Sequence, residues 1–217
     1  MTLEYLKTCR ELVFVYVRLI SNIRNLTSLD VYELYREYLK LCVKLGTNKP
    51  LFDEKEGKYN HSNCYMYALG LITPEIFASV YEYKEIDNLT HNLGFMTDDL
   101  YSSNDLNTNL YDLQKDLELL GIDSYECTML GDTHHGGYKI AFFKAPFDFH
   151  FIRQNMDGTW SHKLGYSPII ERVEMPQERV LGRYNYIKTL EIVKPIIGNK
   201  LTYCIKCDII CTLLRGN

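Results

Sequence analysis

The stretch Asp148-Phe149-His150-Phe151-Ile152-Arg153-Gln154-Asn155-Met156-Asp157-Gly158-Thr159-Trp160-Ser161-His162-Lys163 decides how the chain is read. Two strand-like arms flank Asp157-Gly158, a dipeptide that marks a tight turn between antiparallel strands. Each arm carries one histidine. With Met156-Asp157-Gly158 as a three-residue loop and Gly158 left-handed, Asn155 faces Thr159 and Ile152 faces His162. Residues opposite each other across a hairpin share a face, and so do alternate residues along one strand. His150 and His162 then lie on one face as diagonal neighbours. A two-residue Asp157-Gly158 turn would put them on opposite faces, so the register decides whether they can meet.

Working outward from this hairpin, Tyr138 to Lys144 reads as a strand preceding the Phe147–Gln154 arm, and Thr159 to His162 as the strand after the turn. Gly182 to Val193 and Leu201 to Leu214 are further strand candidates, separated by Pro195 and Gly198-Asn199. The sequence before position 121 has a different texture. Leu3, Leu6, Val13, Tyr16, Val17 and Ile20 recur at helical spacing. Thr27 and Asp30 form a capping box before a helix through Val31, Leu34, Tyr38, Leu41 and Leu45, which Gly46 stops. Residues 47–63 read as a loop. A short helix starts at Cys64, and another has Thr73 as N-cap with Pro74 in its first turn. Residues 84–104 read as a long loop. Asp105 to Leu120 is a helix with Leu106, Leu110, Leu113, Leu117 and Leu120 on one face and Gly121 beyond its end. Helices first and an antiparallel sheet second define an α+β chain. The expected division is a helical hairpin at 1–46, packed on a main domain at 47–217.

Composition excludes several classes. The 217 residues carry 24 Lys and Arg against 28 Asp and Glu, a net charge of −4, with no basic cluster to neutralise phosphates. Nucleic acid is therefore not an expected partner. The apolar run Leu12 to Ile20 is broken by Arg18 and is too short for a membrane span. Nor does the basic, apolar and small-residue order of a secretion signal occur at the start. These features set an expectation of a cytoplasmic protein with no membrane partner, whose seven cysteines are thiols rather than a disulfide framework.

Cys64 is the leading nucleophile. It stands in Asn60-His61-Ser62-Asn63-Cys64-Tyr65-Met66-Tyr67-Ala68-Leu69-Gly70, where a polar loop runs into an apolar helical stretch. At a helix N-terminus, free amides and the helix dipole lower a thiol pKa and can also hold a developing oxyanion. The bland reading is a buried cysteine acting as a small apolar residue. Two histidines on one face divide the accompanying work. His150 takes the thiol proton, and His162 accepts a hydrogen bond from its far ring nitrogen and fixes the tautomer. The bland reading is two unrelated histidines in a tyrosine-rich sheet. The Cys64 amide and a side chain of Tyr59 or Asn63 are the expected oxyanion donors.

This order of a helix-capping Cys, a His on a strand and a polar residue on the next strand resembles papain-like peptidases and amidases of the NlpC and CHAP type. The His150 to His162 hairpin is similar to that of the NlpC type, in which the third residue is often a second His. Asn63 to Leu69 and Asp148 to Lys163 together also resemble paired motifs of poorly characterised papain-like proteins of bacteria and large DNA viruses. The Asp-Cys-Ser-Gly signature common in the NlpC type is replaced by Asn63-Cys64-Tyr65-Met66. The resemblance covers residues 60–190 and implies a papain-like fold with a thiol that cleaves or transfers an amide or ester acyl group. The substrate would be a peptide, a protein or another amide or ester, and no cofactor is implied. The competing expectation is a non-catalytic binding module on the same fold. Cys204, Cys207 and Cys211 form an incomplete zinc ligand set, so no metal is expected. His134-His135-Gly136-Gly137 reads as a solvated turn.

Overall fold

The computed structural model describes residues 2–46, 59–84, 86, 92–97, 103–165, 167, 169–173 and 179–194. The chain divides into two compact units, one holding residues 1–47 with 194–217 and the other residues 48–193. The strand expected at Leu201–Leu214 and the cysteines 204, 207 and 211 lie outside the described residues.

In the first unit, α1 spans Leu3–Ser21 and α2 spans Ser28–Lys44. Thr2 caps α1 by accepting from the Tyr5 N–H at 3.2 Å. Thr27 and Asp30 close the expected capping box on α2. The helices pair antiparallel, with Tyr16 edge-on to Tyr38 at 5.8 Å between ring centres and Arg18 3.5 Å from Glu37. The buried face of α2 carries Val31, Leu34, Tyr38 and Leu41, as its spacing predicts. The face of α1 is a correction. Tyr5, Thr8, Leu12, Val15, Tyr16 and Leu19 are buried, whereas Leu3, Leu6, Val17 and Ile20 are exposed. Apolar residues surround much of this helix, so two stripes compete. Periodicity alone does not choose between them.

The second unit is an antiparallel sheet with helices, an α+β arrangement. Its helices are α3 (Cys64–Ala68), α4 (Glu75–Tyr83) and α5 (Leu106–Leu120), with a 3-10 turn at Phe95–Thr97. The strands are β1 (Asp123–Cys127), β2 (Tyr138–Ala145), β3 (Asp148–Gln154), β4 (Trp160–Lys163), β5 (Ile170–Val173), β6 (Arg179–Val180) and β7 (Tyr184–Val193). They are ordered β1-β7-β2-β3-β4-β5, with β6 also paired to β7. The short strands β1 and β5 are not apparent in the sequence, because their half-exposed residues lack a clean alternation, and β6 has only two residues. Pro74, not Thr73, is the N-cap of α4. Asp105 caps α5, and Gly121 ends it in the left-handed conformation at φ 70°.

The sheet buries both faces. On one, Ala141, Phe143, Ala145, Ile152, Trp160, Val180 and Tyr184 form a cluster. On the other, Phe142 stacks on Phe151 at 4.9 Å and Tyr65 of α3 lies 5.0 Å from Phe151. The helix α3 is therefore set on the Phe151 side of β3. Asp116 of α5 accepts from the Gly94 and Met96 N–H groups, both at 2.9 Å, and from Tyr65 Oη at 3.2 Å. One carboxylate thus joins α5, the 3-10 turn and α3.

The turn between β3 and β4 has the three-residue form. Asn155 N–H donates to Thr159 O at 2.7 Å, Gly158 N–H donates to Asn155 O at 3.0 Å, and Gly158 has φ 85°. Ile152 is directly opposite His162. A Cβ at Gly158 would meet nothing within 4 Å, so its only cost is the positive φ. Gly158→Ala is expected to lower stability by about 1 kcal/mol, and Gly158→Asn by less, measured by urea unfolding followed by circular dichroism.

Candidate active site

Cys64 is the first residue of α3, and Asn63 is its N-cap. The Asn63 Oδ1 accepts from Met66 N–H at 3.0 Å, which fixes where the helix begins. Cys64 is buried, with 5% exposure. The thiol's hydrogen-bonding neighbours among the described residues are main-chain groups of Phe151 and Tyr65. Phe151 follows His150 directly. The pairing of β3 with β4 runs through Gln154↔Trp160, Arg153↔Ser161 and Ile152↔His162. Lys163 is registered with Ile170 of β5. Beyond Ile152 the two strands fork, and the thiol lies against the main chain of β3 at that fork.

His150 and His162 share the sheet face opposite α3. His150 Nε2 lies 2.8 Å from His162 Nδ1, with the rings nearly perpendicular. The structure thus joins the two histidines that the three-residue loop predicts on one face. Both are buried, at 2% and 3% exposure. The ring of Tyr184 flanks His150 at 5.3 Å. The Tyr184 hydroxyl donates to Asp148 Oδ2 at 2.5 Å, and Arg183 Nη2 reaches the same oxygen at 3.2 Å. His162 Nε2 is 3.4 Å from Glu171 Oε2, on the residue directly opposite it across the strand pair.

Tyr59, the other expected oxyanion donor, is buried on the α3 side. Its hydroxyl accepts from Arg153 Nη1 at 3.2 Å, and its ring packs edge-on to Tyr67 at 5.0 Å. Its hydroxyl is engaged in packing beneath α3. Asn63 stays at the helix start, with its carbonyl oxygen engaged in the cap.

Electrostatics corrects one expectation. Burial pushes the Cys64 thiol up to about 12, and the main-chain N–H groups of Phe151 and Tyr65 offset only part of this. A five-residue helix aligns few peptide dipoles, so its terminus does not overcome desolvation. Burial first, and the neighbouring His162 second, press His150 down to about 3. Burial also lowers His162, against the pull of Glu171. At neutral pH the resting forms are therefore a neutral thiol and two neutral imidazoles.

Sequence reasoning assigned no role to Lys163 or Glu171. Lys163 is fully buried on the α3 side and donates to Gly165 O at 2.8 Å. Burial draws its ammonium down to about 8, and the Cys64 thiol offsets part of that shift. Strand alternation from His162 was the signal available for Lys163, since it places the next residue on the opposite face. Glu171 carried no signal without a visible β5. Among the described residues, no group of three or more His, Cys, Asp or Glu is arranged to hold a metal ion. No helix among them is long and apolar enough to cross a membrane. The chain matches no family model, no curated protein and no solved structure.

His150 titrates at about 3 in the fold but at 6.5 when unperturbed. Between those values the unfolded chain binds more protons. Folding stability should therefore fall as pH drops below 6.5, with a slope from this residue of at most about 1.4 kcal/mol per pH unit. His150→Gln removes that proton uptake. Urea unfolding midpoints from pH 7 to 4 are expected to decline less steeply in His150→Gln than in the wild type; parallel declines would contradict the buried neutral imidazole.

Proposed function

We propose that the protein is a cysteine-dependent hydrolase or acyltransferase acting on an amide or ester bond, with Cys64 as nucleophile, His150 as base and acid, and His162 as its orienting partner. The observation that carries the reading is the 2.8 Å contact between His150 Nε2 and His162 Nδ1, on a hairpin whose next residue, Phe151, borders the Cys64 thiol. A donor at His150 Nε2 leaves its Nδ1 lone pair to receive a proton.

In this mechanism the Cys64 sulfur attacks the carbonyl carbon while its proton passes to His150 Nδ1. The carbonyl π pair moves to oxygen, and the oxyanion is held by the Cys64 amide, with the Asn63 side chain beside it. His150 then returns the proton to the leaving amine or alcohol as its bond to carbon breaks. The thioester is resolved by water in a hydrolase or by another nucleophile in a transferase. Because thiol and imidazole are both neutral at rest, the proton moves as the carbonyl takes up charge, not before substrate arrives. The buried Lys163 ammonium favours the thiolate that leaves at the second step. The papain-like character inferred from the paired sequence motifs belongs to this proposal. The competing reading is a binding module on the same scaffold, for which the raised Cys64 thiol is simply a buried side chain.

p-Nitrophenyl acetate tests the chemistry without knowledge of the natural substrate. The wild type should release p-nitrophenol with acetylation of Cys64, located by mass spectrometry. Cys64→Ala should lose the modification at that site, and His150→Ala should slow it at least about a hundredfold. Equal acetylation rates in wild type and His150→Ala would favour the binding module. Since His150 is already neutral well below the ordinary histidine range, the wild-type rate should also stay level from pH 7 to 5. A loss of rate centred near 6.5 would contradict the assignment.

A further inference from the structure

The geometry points to Glu171 as a positioning residue that sets the direction of the hydrogen-bond chain through His162 to His150. Two contacts in sequence define the argument. Glu171 Oε2 lies 3.4 Å from His162 Nε2, and His162 Nδ1 lies 2.8 Å from His150 Nε2. The register supports both, since Glu171 is directly opposite His162 and Ile152, which shares a face with His150, is directly opposite His162 on the other side.

A neutral imidazole has one N–H and one lone pair, whereas a carboxylate only accepts. Glu171 therefore keeps the His162 proton on Nε2. His162 Nδ1 is then an acceptor, and the 2.8 Å contact is filled only if His150 carries its proton on Nε2. The His150 Nδ1 is thereby left with the lone pair. Without Glu171, no other carboxylate among the described residues stands within ion-pair distance of His162 to fix this order. The reverse chain, His162 Nδ1–H donating to His150 Nε2, becomes accessible and leaves the proton on His150 Nδ1. That tautomer cannot act as a base through Nδ1.

The other carboxylate near His150 does not impose an order of its own. Asp148 Oδ2 is engaged by the Tyr184 hydroxyl and Arg183, and its Oδ1 accepts from Phe149 N–H at 2.8 Å. Glu171 is half exposed on β5, whereas His162 is buried, so the chain is polarised from its solvent end. The catalytic consequence rests on the acyl-transfer reading above; the tautomer order does not.

The test is two-bond proton–nitrogen correlation spectroscopy on protein carrying 15N-histidine at neutral pH. In the wild type, both His150 and His162 should appear as Nε2–H tautomers, assigned by loss of signals in His150→Gln and His162→Gln. Glu171→Ala should add the Nδ1–H form to both rings and slow Cys64 acetylation. Glu171→Gln, whose amide oxygen still accepts, should recover the wild-type pattern in part. Circular dichroism and the urea midpoint should change little, since Glu171 lies at the surface. Wild-type rings in the Nδ1–H form, or tautomers unchanged by Glu171→Ala, would overturn the proposal. A tautomer change in a protein that never acetylates Cys64 would support the role of Glu171 and refute the acyl-transfer reading.

Discussion

Arg153 holds the helix that begins at Cys64 against the strand that bears His150. Its guanidinium is fully buried, donates to Tyr67 O at 2.9 Å and to Tyr59 Oη at 3.2 Å, and lies 3.8 Å from the Tyr67 ring centre. Tyr67 O belongs to the last turn of α3, where a cation is favoured, and it also accepts from Gly70 N–H at 2.9 Å. The Tyr67 hydroxyl meets Ser161 Oγ at 2.6 Å, and Ser161 donates to Asn155 Oδ1 at 2.9 Å. The helix, β3, β4 and the turn between them are thus one polar assembly inside an apolar core. Replacing one member of such a set strands its partners without water, at a cost on the order of several kcal/mol. A helix as short as α3 takes its orientation from the contacts around it, and this assembly fixes it together with the Tyr65–Asp116 bond and the Tyr65–Phe151 packing.

The same burial that makes the assembly rigid determines the charge state of the site. A thiol near 12 and an imidazole near 3 describe groups that water does not reach. In the sequence, a cysteine opening a helix suggests a standing thiolate. In the fold, the loss of solvation outweighs what five residues of helix supply. Under the acyl-transfer proposal, reactivity at Cys64 would then depend on what enters the site to take up charge, and not on an ion pair kept ready.

Much of this was legible from local chemistry. The capping box at Thr27 and Asp30, the left-handed stop at Gly121 and the bulged turn at Gly158 are each specified by a few residues, and each is present. The turn also carried long-range information, since its length fixes which residues share a sheet face. What the sequence concealed lay in elements without a local signature. β1 and β5 are short and half exposed, so they offer no alternation to read, and the relation of Glu171 to His162 disappears with β5. The buried stripe of α1 was misassigned because two apolar stripes compete and only packing selects one. The helix start at Cys64 was visible, but the burial of its thiol was not, because Phe151 and Lys163 are brought to it only by the sheet.

β5 is the last strand of its sheet among the described residues, paired to β4 on one side only. Strands held on one side fray more readily than those held on both, and they open locally at a small fraction of the global unfolding free energy. Glu171 rides on this margin, whereas His150 and His162 sit on strands with neighbours on each side. A brief detachment of four residues would uncouple the outermost hydrogen bond and leave the imidazole pair intact. Under the acyl-transfer proposal, the strand most ready to fray would then govern the proton order of the site, while both imidazoles stay on strands paired on each side.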